Sequence, residues 1–596
     1  MTGVQTCALP ICYDNNKRVT SEAAGSETIS YSYNAVNQLT SGTGPGGTVS
    51  YTYDNASRVV TETSGGRTNT ITRNAEGERT ALNYLGQSQT YARDTRGLVT
   101  RITAPAGSFD FSFDALGRRT KLSYPNGSTA SYAFDAAGQL TNLTHVGVFN
   151  APYAHSFDAA GRITRITGDG PAWDYRYDAL GRLTRATQGA STTTYTLDPV
   201  GNILDGGRTH DVNHRLTADD AKNYSYDRRG NLTLEQDRST GARTVYTWNV
   251  KNQLKQVQFF NDATAGSLTR TLFYAYDPLG RRASKTDNGV SQRFVYDGDD
   301  LVGTLDASSS TIAANVFSGA IDEPLSTTTA GTAKTLYANH LGSVKAVAEG
   351  ATLTGTYGYG PYGETLAGSS PDSTPYRYTG REKDTDSLYY YRARYYSSGM
   401  QRFISRDPIG LVGGENPFTY ASGDPIAFND PTGEFWNLVI GAATGVATGY
   451  AIAWLTGSCY GIGDALLDAG LGAAGAGLVS KLEKIRELSK LRNLANERGL
   501  VANKITPHIE DYINPNNPLE RLKIKLSGSQ NASGSLSKGP RVEYRIDAGT
   551  YQNPFTGEVG RSVELSHIPI GNPSTGGALA GGAAGGAAGS AICDCR

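Results

Sequence analysis

Aromatic and polar residues alternate along the first half of the chain in a unit that keeps returning. The unit is an aromatic residue, any residue, a second aromatic, Asp or Asn, two variable residues, Gly or Asn, a polar residue, an aliphatic residue and often Thr, as at 111–120 and 175–184. Alternation places both aromatics on one face of a strand. The polar centre is a turn, and the aliphatic residue opens a return strand. The pattern therefore predicts a long series of β-hairpins.

The turn chemistry supports this prediction. The acidic or amide position recurs every twenty residues through the first copies, at Asp14, Asn34, Asp54, Asn74, Asp94 and Asp114. Its side chain can accept a hydrogen bond from the backbone two residues on. The Gly position, which is Asn37 and Asn252 in two copies, suits a left-handed backbone. One hairpin cannot bury its own aromatic face, so we expect the hairpins to stack into a continuous curved sheet. The repeated Tyr and Asp are then architectural, and carbohydrate binding by exposed tyrosines is the alternative.

Composition agrees with a turn-rich β protein and narrows the chemistry. The 596 residues include 72 Gly and 36 Tyr but only 16 Phe and two Met. A formal net charge of -1 argues against a nucleic-acid surface along the whole chain. No cysteine lies between Cys12 and Cys459, so no disulfide framework supports the bulk of the protein. The chain has no zinc-type cysteine spacing and no convincing phosphate-binding glycine loop. We therefore expect neither a cofactor nor a bound metal.

The repeat resembles the YD repeat of the RHS family of bacterial toxins and of their animal relatives, the teneurins, through residues 13–434. The resemblance becomes most specific after Tyr337, where the chain is similar to the RHS-repeat-associated core domain in the segments YANHLGSV, YGYGPYGE, YTGREKD, LYYYRARYY and DPIGL. The resemblance implies a mainly β fold, in which YD hairpins spiral into a hollow shell closed by the core domain. It also implies a smaller α or α+β cargo domain at the C-terminus, held inside that shell.

We divide the chain accordingly. Residues 1–11 resemble a translated sequencing adapter, and we expect 1–12 to be an artefact that precedes the natural sequence. The YD-repeat shell is expected over 13–300 and the core domain over 301–434. A Gly/Ala-rich apolar segment follows over 435–479, and the variable tip occupies 480–596.

Two Asp-Pro-x-Gly motifs, at Asp407 and Asp430, carry the candidate chemistry. RHS shells commonly perform an aspartyl-type self-cleavage with such a pair, so the resemblance implies a catalytic role for Asp407, and for Asp430 either a place in the dyad or a place in the segment that is recognised. Arg406 lies directly before Asp407, where it could orient a carboxylate or polarise the cleaved carbonyl. Two close carboxyl groups share a proton and can supply both a base and an acid. The same motif is also a good type I turn, and the repeats contain it at Asp198 and Asp277.

The resemblance also locates the cut. The family's second motif continues with Leu, where this chain has Glu434, so scission is expected near Glu434–Phe435, with Gly433 as the last residue of the motif.

The sequence after Glu434 changes character. Residues 435–463 carry no Asp, Glu, Lys or Arg and are long enough to cross a bilayer. They read either as a membrane-inserting segment over 435–460 or as an apolar helix packed inside the shell. Residues 480–500 have the spacing of an amphipathic helix. In the tip, acid–base nuclease chemistry or a structural role is open for His508, Glu510, Asp547, Glu564 and His567.

These observations predict a carrier shell that encloses, severs and releases a C-terminal toxin used against competing bacteria or a host. The protein is expected to be exported from a bacterium and its tip delivered into a target cell. Expected partners are a cognate immunity protein, secretion or delivery machinery, the chain's own tip, and nucleic acid if the tip is a nuclease. A non-enzymatic carbohydrate-binding surface protein and a pore-forming tip are the alternatives.

Overall fold

The computed structural model describes residues 11–434, except 25–26, 169, 263–266, 370–371 and 373. Outside that range it describes only the backbone of short strands, at Thr6–Cys7, at Asn437–Leu438 and between 501 and 569. The chain divides into two compact units, Met1–Gly472 and Ala473–Arg596, and each is described by itself.

The first large sheet of the first unit is an antiparallel meander in which each strand pairs with the next along the chain. Its twenty strands are β1 Thr6–Cys7, β2 Ile11–Tyr13, β3 Val19–Ala24, β4 Glu27–Tyr33, β5 Leu39–Gly44, β6 Gly47–Tyr53, β7 Val59–Ser64, β8 Arg67–Arg73, β9 Arg79–Tyr84, β10 Gln87–Arg93, β11 Val99–Ala104, β12 Gly107–Phe113, β13 Arg119–Ser123, β14 Thr129–Phe134, β15 Leu140–Val146, β16 Ala151–Phe157, β17 Ile163–Thr167, β18 Trp173–Tyr177, β19 Leu183–Gln188 and β20 Ser191–Thr194.

The second large sheet continues the same meander over fifteen strands. They are β21 Thr209–His210, β22 Leu216–Ala218, β23 Lys222–Tyr226, β24 Leu232–Asp237, β25 Arg243–Trp248, β26 Leu254–Phe260, β27 Leu268–Tyr276, β28 Arg282–Asp287, β29 Val290–Asp297, β30 Asp300–Asp306, β31 Thr311–Phe317, β32 Pro324–Thr329, β33 Thr332–Ala338, β34 Val344–Glu349 and β35 Thr352–Thr356. The sheet runs without a break through residue 300, because β29 pairs with β30 there.

Each repeat turn is built as its sequence predicts. At Asp114, one carboxylate oxygen accepts hydrogen bonds of 2.9 Å from the backbone N–H groups of Leu116 and Arg118. The other oxygen accepts one of 2.7 Å from Arg118 Nε. Gly117 has a φ of +77°, and Asn37 and Asn252 take the same left-handed conformation in their repeats. Asp and Gly are therefore turn residues.

The repeated aromatic rings point into the core between the sheets. Tyr51, Tyr132 and Tyr175 are each less than a tenth exposed, as architectural residues are. One core cluster joins residues of β11–β16 to residues of β31–β34. Ion pairs also cross between the sheets, such as the buried pair of Arg119 with Glu323 and the half-buried pair of Arg79 with Asp297.

A small four-stranded sheet lies between the two large ones, formed by β36 Glu382–Lys383, β37 Leu388–Tyr391, β38 Arg394–Ser397 and β39 Arg402–Phe403. Because side chains alternate along a strand, Tyr389 and Tyr391 of β37 join the core of the first sheet, whereas Leu388 and Tyr390 join that of the second. Both faces are buried, which accounts for the unbroken aromatic run. Three short 3-10 turns, Tyr378–Gly380, Gly410–Gly413 and Ala421–Gly423, and the strand pair β40 Phe428–Asn429 with β41 Asn437–Leu438 complete the described part of this unit.

The described residues of the second unit are all in strands: β42 Val501–Thr506, β43 Ile509–Asn514, β44 Asn517–Lys525, β45 Arg541–Asp547, β46 Thr550–Gln552, β47 Val559–Gly560 and β48 Ile568–Pro569. The helix predicted over 480–500 and nearly all of the apolar run 435–463 lie outside the described residues. Within the part of the chain that is described, no helix has the length and apolar character needed to cross a membrane. The mainly β fold class is confirmed.

Candidate active site

The two Asp-Pro-x-Gly motifs of the core domain form the turns that their sequences predict. In the first, Asp407 Oδ1 accepts a hydrogen bond of 3.0 Å from the N–H of Ile409, and the N–H of Gly410 reaches the carbonyl of Asp407. In the second, Asp430 Oδ1 accepts one of 3.0 Å from the N–H of Glu434. Local geometry therefore resembles the repeat turn at Asp198, and only the surroundings can distinguish the two.

Arg394 joins the two turns into one site. Its Nη2 lies 2.9 Å from Asp407 Oδ2 and 3.0 Å from Asp430 Oδ2, so both carboxylates contact the same nitrogen atom. The guanidinium is buried, stacks 3.6 Å above the ring of Phe403, and donates from Nη1 to the carbonyl of Pro417. Asp407 and Asp430, which begin the same sequence motif, thus also lie close together in the structure.

The carbonyl of Gly433 completes this arrangement. It accepts a hydrogen bond from Arg394 Nε, which lies on the same edge of the planar guanidinium as Nη2. The next nitrogen along the chain, that of Glu434, is the one that donates to Asp430. The two ends of the Gly433–Glu434 peptide bond therefore contact an arginine and a carboxylate respectively.

The hairpin turn between β37 and β38 holds this segment at three successive carbonyls. Arg392 Nη1 donates to Pro431 O, the N–H of Ala393 donates to Thr432 O at 3.1 Å, and Arg394 donates to Gly433 O. We call the turn and these three contacts the hairpin clamp. Contact is so close that a Cβ on Gly433, whose φ is +72°, would lie 2.3 Å from the carbonyl oxygen of Tyr391, so only glycine fits.

Burial dominates the electrostatics of the site. It raises the pKa of Asp407 to about 7; the Arg394 guanidinium opposes this rise, whereas the nearby charges of Asp430 and Glu434 add to it. Burial also raises the pKa values of Asp430 and Glu434, against the same guanidinium. One positive charge faces three carboxyl groups, so the site favours holding at least one proton near neutral pH.

Arg406 lies elsewhere. Its side chain is exposed, and its Cγ and Cδ lie over the repeat turn at Gly230. Arg394 makes the contacts with the carboxylates that were expected of Arg406. A signal for Arg394 was available in the sequence: a charged residue inside the aromatic run LYYYRARYY must be buried, and a buried charge needs partners.

The remaining predicted site residues are only partly described. Phe435, His508, Glu564 and His567 lie outside the described residues. Glu510 is on β43 and Asp547 ends β45. Strand register aligns Glu510 with Ile524 and Ile524 with Val542, five residues before Asp547. At about 3.3 Å per residue, the backbone therefore does not bring Glu510 and Asp547 together.

Two long antiparallel sheets of hairpin repeats make this chain a repeat-built β protein, and it carries a buried Arg–Asp–Asp cluster. The family model described as teneurin YD-shell matches residues 2–146 and 141–409, and the chain belongs to that family. The match includes Asp407 and the turn residues 392–394 but ends before Asp430.

Curated relatives match parts of the chain. A tRNA3(Ser)-specific nuclease, WapA of Bacillus spizizenii, is 29% identical over 274 residues, which are 42% of this chain and 11% of that protein. The probable deoxyribonuclease RhsA of Dickeya dadantii is 29% identical over 243 residues, 37% of this chain and 16% of that protein. This chain therefore spans only a small part of the length of these relatives.

A solved structure shares the fold. The crystal structure of TcdB2-TccC3 superposes with a TM-score of 0.51 at 17% identity, over 71% of this chain and 28% of that one.

Proposed function

We propose that this chain is the shell region of a bacterial toxin and that it cuts its own backbone next to Glu434. The family supports the shell role, and the names of the relatives support the connection with toxic nucleases. The observation that carries the self-cleavage is the single guanidinium of Arg394, which contacts Asp407, Asp430 and the carbonyl of Gly433 at once.

The contacts fit peptide hydrolysis by a carboxyl pair. Burial raises the pKa of both carboxyl groups, that of Asp407 to about 7. In this proposal Asp407 holds the shared proton, and Asp430, which accepts hydrogen bonds from the N–H of Glu434 and from Arg394, is the ionised partner. The Arg394 guanidinium polarises the carbonyl that water attacks. Such a positioned donor contributes about 3–4 kcal/mol of transition-state stabilisation in comparable sites.

The proposed hydrolysis of the peptide bond has two steps, in which every proton is accounted for. Water adds to the carbonyl carbon of Gly433 while Asp430 takes a proton from the water and Asp407 gives its proton to the carbonyl oxygen. The carbon–nitrogen bond then breaks, Asp430 passes its proton to the nitrogen of Glu434, and Asp407 recovers one from the hydroxyl group. The products are a carboxyl group on Gly433 and an amine on Glu434.

The contacts favour the Gly433–Glu434 bond, whereas the family resemblance favours the next bond, Glu434–Phe435. The two are distinguished by the first residue of the released fragment, Glu434 or Phe435.

The test is the intact mass of the full chain under denaturing conditions. We expect the unaltered chain to yield two fragments that meet next to Glu434, and Asp407→Asn and Asp430→Asn to remain whole. Asparagine keeps the turn hydrogen bond but cannot transfer the proton. Asp198→Asn is the matched control, because Asp198 caps the same kind of turn and contacts no arginine of this site. An unaltered chain that stays uncut would refute self-cleavage.

The segment after the cut is, in this proposal, the toxic cargo, with nuclease activity as the first candidate. Induced expression of the full chain in bacteria should deplete intact tRNA or DNA, and Asp407→Asn should weaken that effect if release is needed. Membrane depolarisation without nucleic-acid loss would instead support a pore-forming tip, and unimpaired growth would contradict a toxin.

Export, delivery into a target cell and a cognate immunity protein belong to the same proposal. The immunity protein is testable as a partner that binds the fragment beginning next to Glu434 and restores growth.

A further inference from the structure

A second arginine of the hairpin clamp, Arg392, reaches the cleavage segment from a different direction. Its guanidinium contacts the carbonyl of Pro431 and forms a bidentate ion pair with Asp322. In this pair Nη2 lies 2.8 Å from Oδ1 and Nη1 lies 3.1 Å from Oδ2. Nη2 also donates to the carbonyl of Asp299 at 3.3 Å. Among the described residues, Arg392 makes no hydrogen bond or ion pair with either aspartate of the proposed dyad.

The backbone conformation of Arg392 is unusual for a residue with a long side chain. Arg392 has a φ of +55° in a two-residue hairpin loop, where Gly or Asn is the usual choice. A side chain with a Cβ is strained in such a conformation. The turn therefore does not explain why an arginine occupies this position, whereas the contacts of the arginine side chain do.

Asp322 is itself held from several sides. Its Oδ1 accepts a hydrogen bond of 2.5 Å from Arg381, and its carbonyl oxygen packs so tightly against Gly380 that a Cβ there would lie 2.1 Å away. The next residue, Glu323, forms a bidentate pair with Arg119 of β13. Asp322, which pairs with Arg392, is thus linked through these contacts to the first repeat sheet as well as to the core domain.

We propose that Arg392, anchored by Asp322, is a positioning residue for the self-cleavage: it fixes the carbonyl of Pro431 so that Gly433 meets Arg394 in the geometry needed for attack. This inference rests on the proposed function. It extends the site beyond the dyad, to a buried Arg–Asp pair that makes cutting conditional on the folded repeat sheet.

The test compares Arg392→Gln, Asp322→Asn and Arg392→Lys in the full chain. The rate of cutting after synthesis is followed by pulse-chase. We expect Arg392→Gln and Asp322→Asn to slow cutting at least tenfold, and Arg392→Lys, which keeps the charge, to recover part of the rate. The pH at which cutting is half-maximal should stay unchanged, because Arg392 does not contact the dyad.

Arg79→Gln is the matched control for lost stability. Arg79 also forms a bidentate pair, with Asp297 of the β29–β30 hairpin, whose Asp299 carbonyl Arg392 contacts; the Arg79–Asp297 pair itself includes no residue of the cleavage turn. Arg392→Gln and Arg79→Gln should lower the melting temperature to similar extents, but only Arg392→Gln should slow cutting. Equal cutting rates in these two variants would overturn the positioning role while leaving self-cleavage intact.

A second readout does not depend on self-cleavage. In the Asp407→Asn chain, a glutamyl endopeptidase can cut after Glu434 when the turn opens. Adding Arg392→Gln should accelerate that cut at least tenfold, and an unchanged rate would show that Arg392 does not hold the turn. An unaltered chain that never cuts itself would overturn both the proposed self-cleavage and the positioning role. An unaltered chain that cuts itself, together with equal cutting rates in Arg392→Gln and Arg79→Gln, would overturn the positioning role alone.

Discussion

Replacing Arg394 with lysine tests the centre of the proposed site. Lysine keeps the positive charge but offers one nitrogen, whereas Arg394 donates from three nitrogens to Gly433, Pro417 and the two aspartates. An ammonium that stays with the carboxylates cannot also reach the Gly433 carbonyl. Losing one donor to a developing oxyanion costs about a hundredfold to a thousandfold in rate. We therefore expect Arg394→Lys to slow cutting at least a hundredfold.

The stability cost should be smaller and separable. The carbonyl of Gly433 would lose its arginine partner in a buried site, at about 1–3 kcal/mol for a group left unsatisfied, whereas that of Pro417 keeps the hydrogen bond from the N–H of Asp407. Cutting is measured by intact mass over time, and stability by denaturant unfolding in an Asp407→Asn background, so that all chains compared are whole.

Arg402→Lys is the control for this experiment. Arg402 is also buried and also stacks on an aromatic ring, that of Phe418, but it donates to the carbonyl of His214 and contacts neither aspartate. It should lose stability and keep cutting. If Arg394→Lys cuts as fast as Arg402→Lys, then Arg394 does not activate the carbonyl and the proposed chemistry is wrong.

Two further predictions follow from the electrostatics and the packing of the site. Burial raises the pKa of Asp407 to about 7, and the neutral form is the reactive one, so the cutting rate should fall as pH rises through about 7. Glu434→Gln removes a charge that raises this pKa and should move the fall to lower pH; a profile unchanged by Glu434→Gln would contradict the coupling. Gly433→Ala places a Cβ 2.3 Å from the Tyr391 carbonyl oxygen at a φ of +72°, and should slow cutting and cost about 1–3 kcal/mol of stability in denaturant unfolding. Gly117→Ala, with the same sign of φ but only ordinary contact with Leu98, should lose less and cut normally.

The hairpin repeats were predictable because everything that specifies them is local. Aromatic alternation, the Asp turn and the left-handed Gly or Asn all lie within one unit, and Asp114, Gly117 and Asn37 behave in the structure as their positions indicate. The pairing of Asp407 with Asp430 was within reach only through the family resemblance, because the motif itself also occurs at the repeat turns of Asp198 and Asp277.

The arginine of the site was not predictable by adjacency. Arg406 precedes Asp407 directly, but its side chain is exposed and lies over the repeat turn at Gly230, whereas the Asp407 carboxylate is buried. Arg394 reaches the carboxylates from another strand, thirteen positions earlier in the sequence. Asp322 and Arg392 depend on the packing of distant loops, which no spacing in the sequence encodes.

The hairpin clamp holds only one side of the bond to be cut. Its three contacts fall on the carbonyls of Pro431, Thr432 and Gly433, all upstream of Glu434. After hydrolysis the new carboxylate of Gly433 would remain seated on Arg394, where it occupies the place of the next substrate. Each folded chain would then act once and retain its own product as a permanent inhibitor. If the chain cuts itself as proposed, such a site has no turnover number, because each shell makes one cut.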